Sequence, residues 1–220
     1  MVKTTNLSLA AEEACIAGAQ AEVECSDLRW VLSQPGGNPA VRLMAYGLRK
    51  IFRGSLDAVT VDLESFRQAL TAAPKDAPWV LIPIHRSYFD FLAAGYLLYA
   101  RPDIDIPLPH IAAAEEFGQM PLVGPLLAKC GAFFIKRGKG KEDFELTEQI
   151  NQLVANRDTF EFFIEGTRSR SRQFLPPKRG LLRCLQGTQQ RFAILPIAIS
   201  YDRVPEEQSF ERELSGQAKE

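Results

Sequence analysis

Long apolar runs are missing from this chain. The longest candidate, residues 121–135, is interrupted by Gly124, Pro125 and Lys129 and falls short of the roughly 18 apolar residues that a membrane-crossing helix needs. The N-terminus has no basic stretch leading into an apolar one, so a signal peptide is not expected. Histidine occurs twice and cysteine four times in 220 residues, and Cys15, Cys25, Cys130 and Cys184 show no CxxC spacing. With only His85 and His110 to add, neither a zinc site nor a disulfide framework can be read, and reduced thiols in a cytosolic setting are expected. A nucleotide-binding P-loop is excluded because neither GxxxxGKS nor GxxxxGKT occurs. A large excess of one charge is also absent, with 26 Lys+Arg against 27 Asp+Glu. That balance, and the lack of aromatics interleaved with the basic stretches 136–141 and 168–172, argues against nucleic acid as a partner.

What is present is an ordinary globular composition, 46% hydrophobic and 24% charged, with chain enough for one sizeable core. The charge is unevenly spread. Residues 1–35 hold two basic and five acidic side chains, whereas 131–191 hold twelve basic and seven acidic, a net +5. The middle of the chain is therefore suited to an anionic partner such as a phosphorylated substrate or an anionic membrane surface.

The chain is organised around Pro83-Ile84-His85-Arg86-Ser87-Tyr88-Phe89-Asp90. An apolar run, Trp79–Ile82, precedes it and reads as a buried strand; a second, Phe91–Ala100, follows and reads as a helix. A histidine at a strand end with a carboxylate five residues on is a candidate base and its orienting partner. In one continuous helix five residues turn roughly 500°, leaving the two side chains about 140° apart. His85 and Asp90 can meet only if His85 lies before the helix and the chain turns between them. Ser87 supplies that turn, because Ser-x-x-Asp ahead of an apolar run is a capping-box-like helix start. Capping is equally the plain alternative role for Asp90.

Around this stretch the spacing predicts helices over 7–33, 40–53 and 64–70, the last behind a cap at Asp62. The second is basic and amphipathic, with Val41, Met44, Leu48, Ile51 and Phe52 on one side and Arg42, Arg49, Lys50 and Arg53 mostly opposite. Such a helix can lie on an anionic membrane or pack on its own domain. From residue 79 strands (79–84, 109–113, 131–136, 159–165, 193–200) alternate with helices (88–100, 115–128, 142–157, 179–190). The pattern predicts an α/β fold with a mostly parallel sheet flanked by helices, and an N-terminal helical segment. In such sheets ligands bind at the carboxyl ends of strands, where His85, Lys136-Arg137 and Glu165-Gly166-Thr167-Arg168 all fall. Guanidinium groups grip phosphate bidentately, and Arg168 and Arg170 would project to one side of an extended turn, with Gly166 allowing close backbone approach.

Taken with His85–Asp90, the stretches Gly131–Arg137, Phe162–Ser171 and Ile194–Arg203 resemble, in order and spacing, the four blocks of the glycerolipid acyltransferase superfamily, its glycerol-3-phosphate and dihydroxyacetone-phosphate branch above all. The resemblance runs from about Val80 onward and takes in Pro109–Ala113, Pro177–Gly180 and Glu213–Gly216. It implies transfer of a fatty acyl group from acyl-CoA or acyl-carrier-protein to the hydroxyl of glycerol 3-phosphate or dihydroxyacetone phosphate, an early step of phospholipid synthesis, with no cofactor and no metal. His85 and Asp90 would be the HX4D base and its partner. Arg137, Glu165, Gly166, Thr167, Arg168, Arg170 and Lys178 would hold the acceptor's phosphate and glycerol backbone, and Pro196 and Tyr201 would lie on the acyl-donor side. A lysophosphatidate acceptor, or an inactive relative that only binds lipid or acyl carrier, are the alternatives. The resemblance further implies a peripheral protein at the cytoplasmic face of a membrane. With the helices read over the N-terminal part, the chain divides into a helical region over 1–60 and the acyltransferase domain over 61–220, and is either truncated or a compact member, since the fourth block is followed by little sequence.

Overall fold

The computed structural model describes residues 5–6, 20–22, 38–136, 144–171 and 173–216. Two short strands, β1 (Thr5–Asn6) and β2 (Gln20–Glu22), flank β3 (Val59–Asp62), the first parallel and the second antiparallel. The main sheet contains β4 (Trp79–Pro83), β5 (His110–Ala114), β6 (Phe133–Ile135), β7 (Phe160–Glu161) and β8 (Ala193–Ile197), in the order β6-β5-β7-β4-β8 with every pairing parallel. The helices are α1 (Pro39–Ser55), α2 (Leu63–Ala72), α3 (Phe89–Ala100), α4 (Glu115–Gly118), α5 (Val123–Lys129), α6 (Phe144–Ala155), α7 (Gly180–Gly187) and α8 (Glu207–Leu214). None of the described helices is long and apolar enough to cross a membrane.

The continuous apolar run of β4 is what an internal parallel strand requires, because both faces are covered. Leu81 faces one core with Leu48, Phe52, Phe66, Leu97 and Ile197. Val80 faces the other, with Phe133, Ile150, Phe160 and Leu185. Helix α1 starts where Pro39 takes the first helical position and the Asn38 side chain accepts from the amides of Ala40 and Val41 at 2.9 and 3.0 Å. Its apolar side packs on its own domain: Phe52 meets Phe89 and Tyr96 edge-on at 5.7 and 5.2 Å. Burying one such ring is worth about 1.5–3 kcal/mol. Asp62 caps α2 as expected, accepting from Glu64 and Ser65 amides.

The structure departs from the sequence reading in several places. Gln20–Glu22, inside the stretch read as a helix, pairs with Thr60–Asp62 instead; backbone pairing with a distant strand overrides local helical preference there, and the rest of 7–33 lies outside the described residues. The helix read over 115–128 is two helices. Leu122 between them takes φ 65°, and a Cβ at Gly124 would stand 2.2 Å from the Gly118 carbonyl oxygen, so the two segments fold back in close contact. β7 stops at Glu161, because the chain turns through the Gly166 amide to Phe163 carbonyl bond of 2.9 Å. β8, read over 193–200, ends at Ile197 and lies at the sheet edge, with Ile194 and Pro196 exposed on alternate positions, and a proline is tolerated there because no neighbour needs its missing N–H. Helix α8 was not foreseen.

Candidate active site

At the end of β4 the chain turns between His85 and Phe89, and one buried carboxylate holds that turn. Asp90, fully buried, accepts on Oδ2 from the amides of Arg86 (2.5 Å) and Ser87 (2.8 Å) and from His85 Nδ1 at 3.1 Å. Its Oδ1 accepts from the Tyr201 hydroxyl at 2.6 Å. The Ser87 hydroxyl oxygen accepts from the Phe89 amide at 3.0 Å, while the Asp90 amide donates to the Ser87 carbonyl at 3.3 Å, so of the reciprocal cap read from Ser-x-x-Asp the half in which Asp90 accepts from the Ser87 amide is present. Asp90 is at once the cap and the partner of the imidazole. An acceptor on Nδ1 assigns the proton to that nitrogen and leaves Nε2 with a lone pair. Nε2 makes no hydrogen bond among the described residues, and the ring stacks on Phe163 at 4.1 Å.

Glu165 stands behind this turn. Its Oε1 accepts from the His85 amide (3.0 Å) and its Oε2 from the Leu175 amide (2.9 Å), while the Ser169 amide donates to the His85 carbonyl at 2.9 Å. Both oxygens are committed to backbone, so Glu165 holds the His85 segment and the loop after β7 together. The turn itself needs Gly166, at φ 65° with Lys178 side-chain carbons 3.3 Å from where a Cβ would lie. Gly166→Ala is expected to cost about 1–2 kcal/mol for the left-handed conformation, seen as a lower thermal midpoint.

Beyond the turn the chain delivers Arg168 and Arg170. The Arg168 guanidinium lies 3.4 Å from the centroid of the Tyr88 ring and 5.1 Å from that of Phe210. Arg170 Nε donates to Glu213 Oε2 and its Nη1 to the Arg168 carbonyl at 3.3 Å. His85, Gly166, Thr167, Arg168, Arg170 and Lys178 all border one cavity of about 660 Å³. Away from these polar groups the cavity is walled by apolar residues of α1, α3, β5 and α5, among them Leu48, Leu92, Tyr96, Ile111 and Leu127. One concave site thus joins a candidate base, a cluster of cations and an apolar recess.

The Acyltransferase family model matches residues 64–200, a span that contains His85, Asp90, Arg168, Arg170 and Lys178. The chain belongs to the Acyltransferase family. It is similar to the dihydroxyacetone phosphate acyltransferase of Bos taurus, 40% identical over 80% of this chain and 27% of the relative. It is also similar to the glycerol-3-phosphate acyltransferase of Xylella fastidiosa strain 9a5c, 38% identical over 86% of this chain and 22% of the relative. The chain therefore spans about a quarter of the length of these relatives. A solved 1-acyl-sn-glycerophosphate (LPA) acyltransferase from Thermotoga maritima aligns with a TM-score of 0.40 and 17% identity, covering 71% of this chain and 78% of that one.

Not every residue singled out in this acyltransferase sequence reaches the cavity. Pro196 is exposed on the sheet edge, away from the cavity lining, and Tyr201 spends its hydroxyl on Asp90; burial and the Asp90 charge push its phenol far above the usual range. Glu165 sits behind the lining, as described. Arg137 lies outside the described residues; its neighbour Lys136 borders the cavity and pairs with Glu145 at 3.0 Å. The sequence reading missed Glu206, whose carboxylate accepts from the Tyr88 amide (2.6 Å) and the Ser87 hydroxyl (2.8 Å) and lies 3.5 Å from Arg168. It also gave no role to Glu213 or to Glu161. Glu161 is fully buried, and neither of its carboxylate oxygens has a hydrogen-bond partner among the described residues. Burial first, and the nearby Asp90 charge second, hold the Glu161 carboxyl well above the usual carboxylate range.

Proposed function

We propose that this chain carries the acyl-transfer site of a glycerol-3-phosphate or dihydroxyacetone-phosphate acyltransferase. The observation that supports it most strongly is His85, held from behind by Asp90, bordering a cavity that has Arg168, Arg170 and Lys178 on one part of its wall and apolar side chains on the rest. His85 Nε2 takes the proton from the acceptor hydroxyl as the hydroxyl oxygen attacks the thioester carbonyl. The tetrahedral intermediate then collapses, the C–S bond breaks, and the imidazolium returns its proton to the leaving thiolate. Arg168, Arg170 and Lys178 hold the acceptor phosphate, which fixes its hydroxyl in line with the base. The apolar recess takes the acyl chain of an acyl-CoA or acyl-carrier-protein donor, and the reaction so read needs no cofactor. Docking on a membrane surface fits α1, whose outward side shows Leu43 and Ile51 (61% and 46% exposed) beside Lys50 and Arg53.

Thiol release from palmitoyl-CoA, with glycerol 3-phosphate, dihydroxyacetone phosphate or 1-acylglycerol 3-phosphate supplied in the presence of lipid, tests this reading. The expected result is release that depends on one of the first two acceptors. Preference for the third would move the assignment to lysophosphatidate. No release with any acceptor, from palmitoyl-CoA or from palmitoyl-acyl-carrier-protein in a parallel assay, would overturn it in favour of a binding protein without turnover.

A further inference from the structure

Three side chains of the last described helical segment point at the same pair of arginines. Glu206, Phe210 and Glu213 are spaced i, i+4, i+7, which places them on one side of a helix; the Phe210 amide to Glu206 carbonyl bond of 2.9 Å puts Glu206 in that register. Glu206 faces the Arg168 guanidinium, buried Phe210 lies against it, and Glu213 receives Arg170 Nε. Glu206 also accepts from the Tyr88 amide and the Ser87 hydroxyl, so one carboxylate ties the base-bearing turn to the arginine-bearing turn.

Two roles fit a carboxylate beside a phosphate-binding arginine. It can occupy the phosphate's place, or it can brace the guanidinium from behind. The placement decides between them. Arg168 and Arg170 border the cavity, whereas Glu206 and Glu213 do not. Arg170 is engaged through Nε by Glu213 and through Nη1 by the Arg168 carbonyl, which among the described residues leaves Nη2 for a ligand. Arg168 is clamped between the rings of Tyr88 and Phe210, and its side chain is only 9% exposed.

Building on the function proposed above, we propose that Glu206 and Glu213 are positioning residues that set the two arginines against the His85 turn and thereby fix how the acceptor phosphate is held. Neither touches the substrate. Their effect falls on the acceptor and not on the acyl donor, whose recess lies on other elements. A carboxylate brace matters because a mobile arginine would have to be ordered each time a phosphate bound, and that entropy cost would weaken acceptor affinity.

The test compares the wild-type chain with Glu213→Gln and Glu206→Gln, both close in shape to the native residue and checked for an unchanged melting temperature. Calorimetry gives the affinity for glycerol 3-phosphate, and thiol release from palmitoyl-CoA gives KM for each substrate. In both variants Kd and KM for glycerol 3-phosphate are expected to rise roughly 10- to 100-fold, the range that corresponds to losing a hydrogen bond to a charged group, while KM for palmitoyl-CoA stays put. A general loosening of the fold would move both KM values and overturn the proposal. A fall in KM for the acceptor would do so too, by showing that the carboxylates compete with phosphate. If the wild type binds and turns over glycerol 3-phosphate but the variants match it, the brace fails and the proposed function stands. A wild type that neither binds nor acylates it overturns both.

Discussion

Replacing His85 with alanine is expected to lower kcat by about 10²- to 10⁴-fold, the usual contribution of a positioned general base, and to leave the fold intact. The second half of that expectation comes from the backbone. The His85 amide still donates to Glu165, its carbonyl still accepts from Ser169, and Asp90 still collects the amides of Arg86 and Ser87 and the Tyr201 hydroxyl. Only the imidazole, its hydrogen bond to Asp90 and its stacking on Phe163 are lost. Asp90→Ala is a poorer probe. It removes a fully buried carboxylate from four donors, and breaking a buried, charge-assisted cluster typically costs about 3–5 kcal/mol, so lost activity there would mix chemistry with unfolding. Steady-state kinetics with circular dichroism on His85→Ala separates the two. Turnover equal to wild type would remove His85 from the mechanism.

How much of this site could be read from the chain depended on whether the partners were neighbours in sequence. The His85–Asp90 pair was legible because five residues, one cap signal and a strand–helix switch leave one way for the two side chains to meet. The cations gathered at the strand ends were legible because a parallel sheet sends every strand's carboxyl end to the same edge. Glu206 was not, since it contacts Ser87 and Tyr88 across 119 and 118 residues and Val204-Pro205-Glu206-Glu207 carries no local pattern of its own. Tyr201 was legible as part of the fourth block but not as the prop of Asp90, because position beside a strand does not reveal what a hydroxyl donates to. Edge and centre also look alike in a parallel strand. Pro196 was the available clue that β8 lies at the margin, and the apolar Ile194–Leu195 around it masked the signal.

Glu161 leads to a prediction about stability. It lies on β7 in register with Leu81 on one side and Ile111 on the other, so its same-face neighbours are apolar. A carboxyl so placed, with no hydrogen-bond partner among the described residues and near the Asp90 charge, is held protonated, and its folded-state pKa stands well above its unfolded value. The folded protein then binds more protons than the unfolded chain, so this group's contribution to stability is fully present below the unfolded pKa of about 4.3 and is lost as pH rises toward the folded value. Within that window the loss runs at up to about 1.4 kcal/mol per pH unit. Glu161→Gln, which cannot ionise, is expected to flatten this slope, so that denaturant unfolding at a series of pH values shows the variant gaining on wild type as pH rises. The absolute level is a weaker test, because a buried amide without partners carries its own cost of about 1–3 kcal/mol. Glu161→Leu removes both the ionisable group and that cost, and should be the most stable of the three at neutral pH. Parallel pH profiles in all three proteins would mean that the folded chain does not hold an extra proton at Glu161.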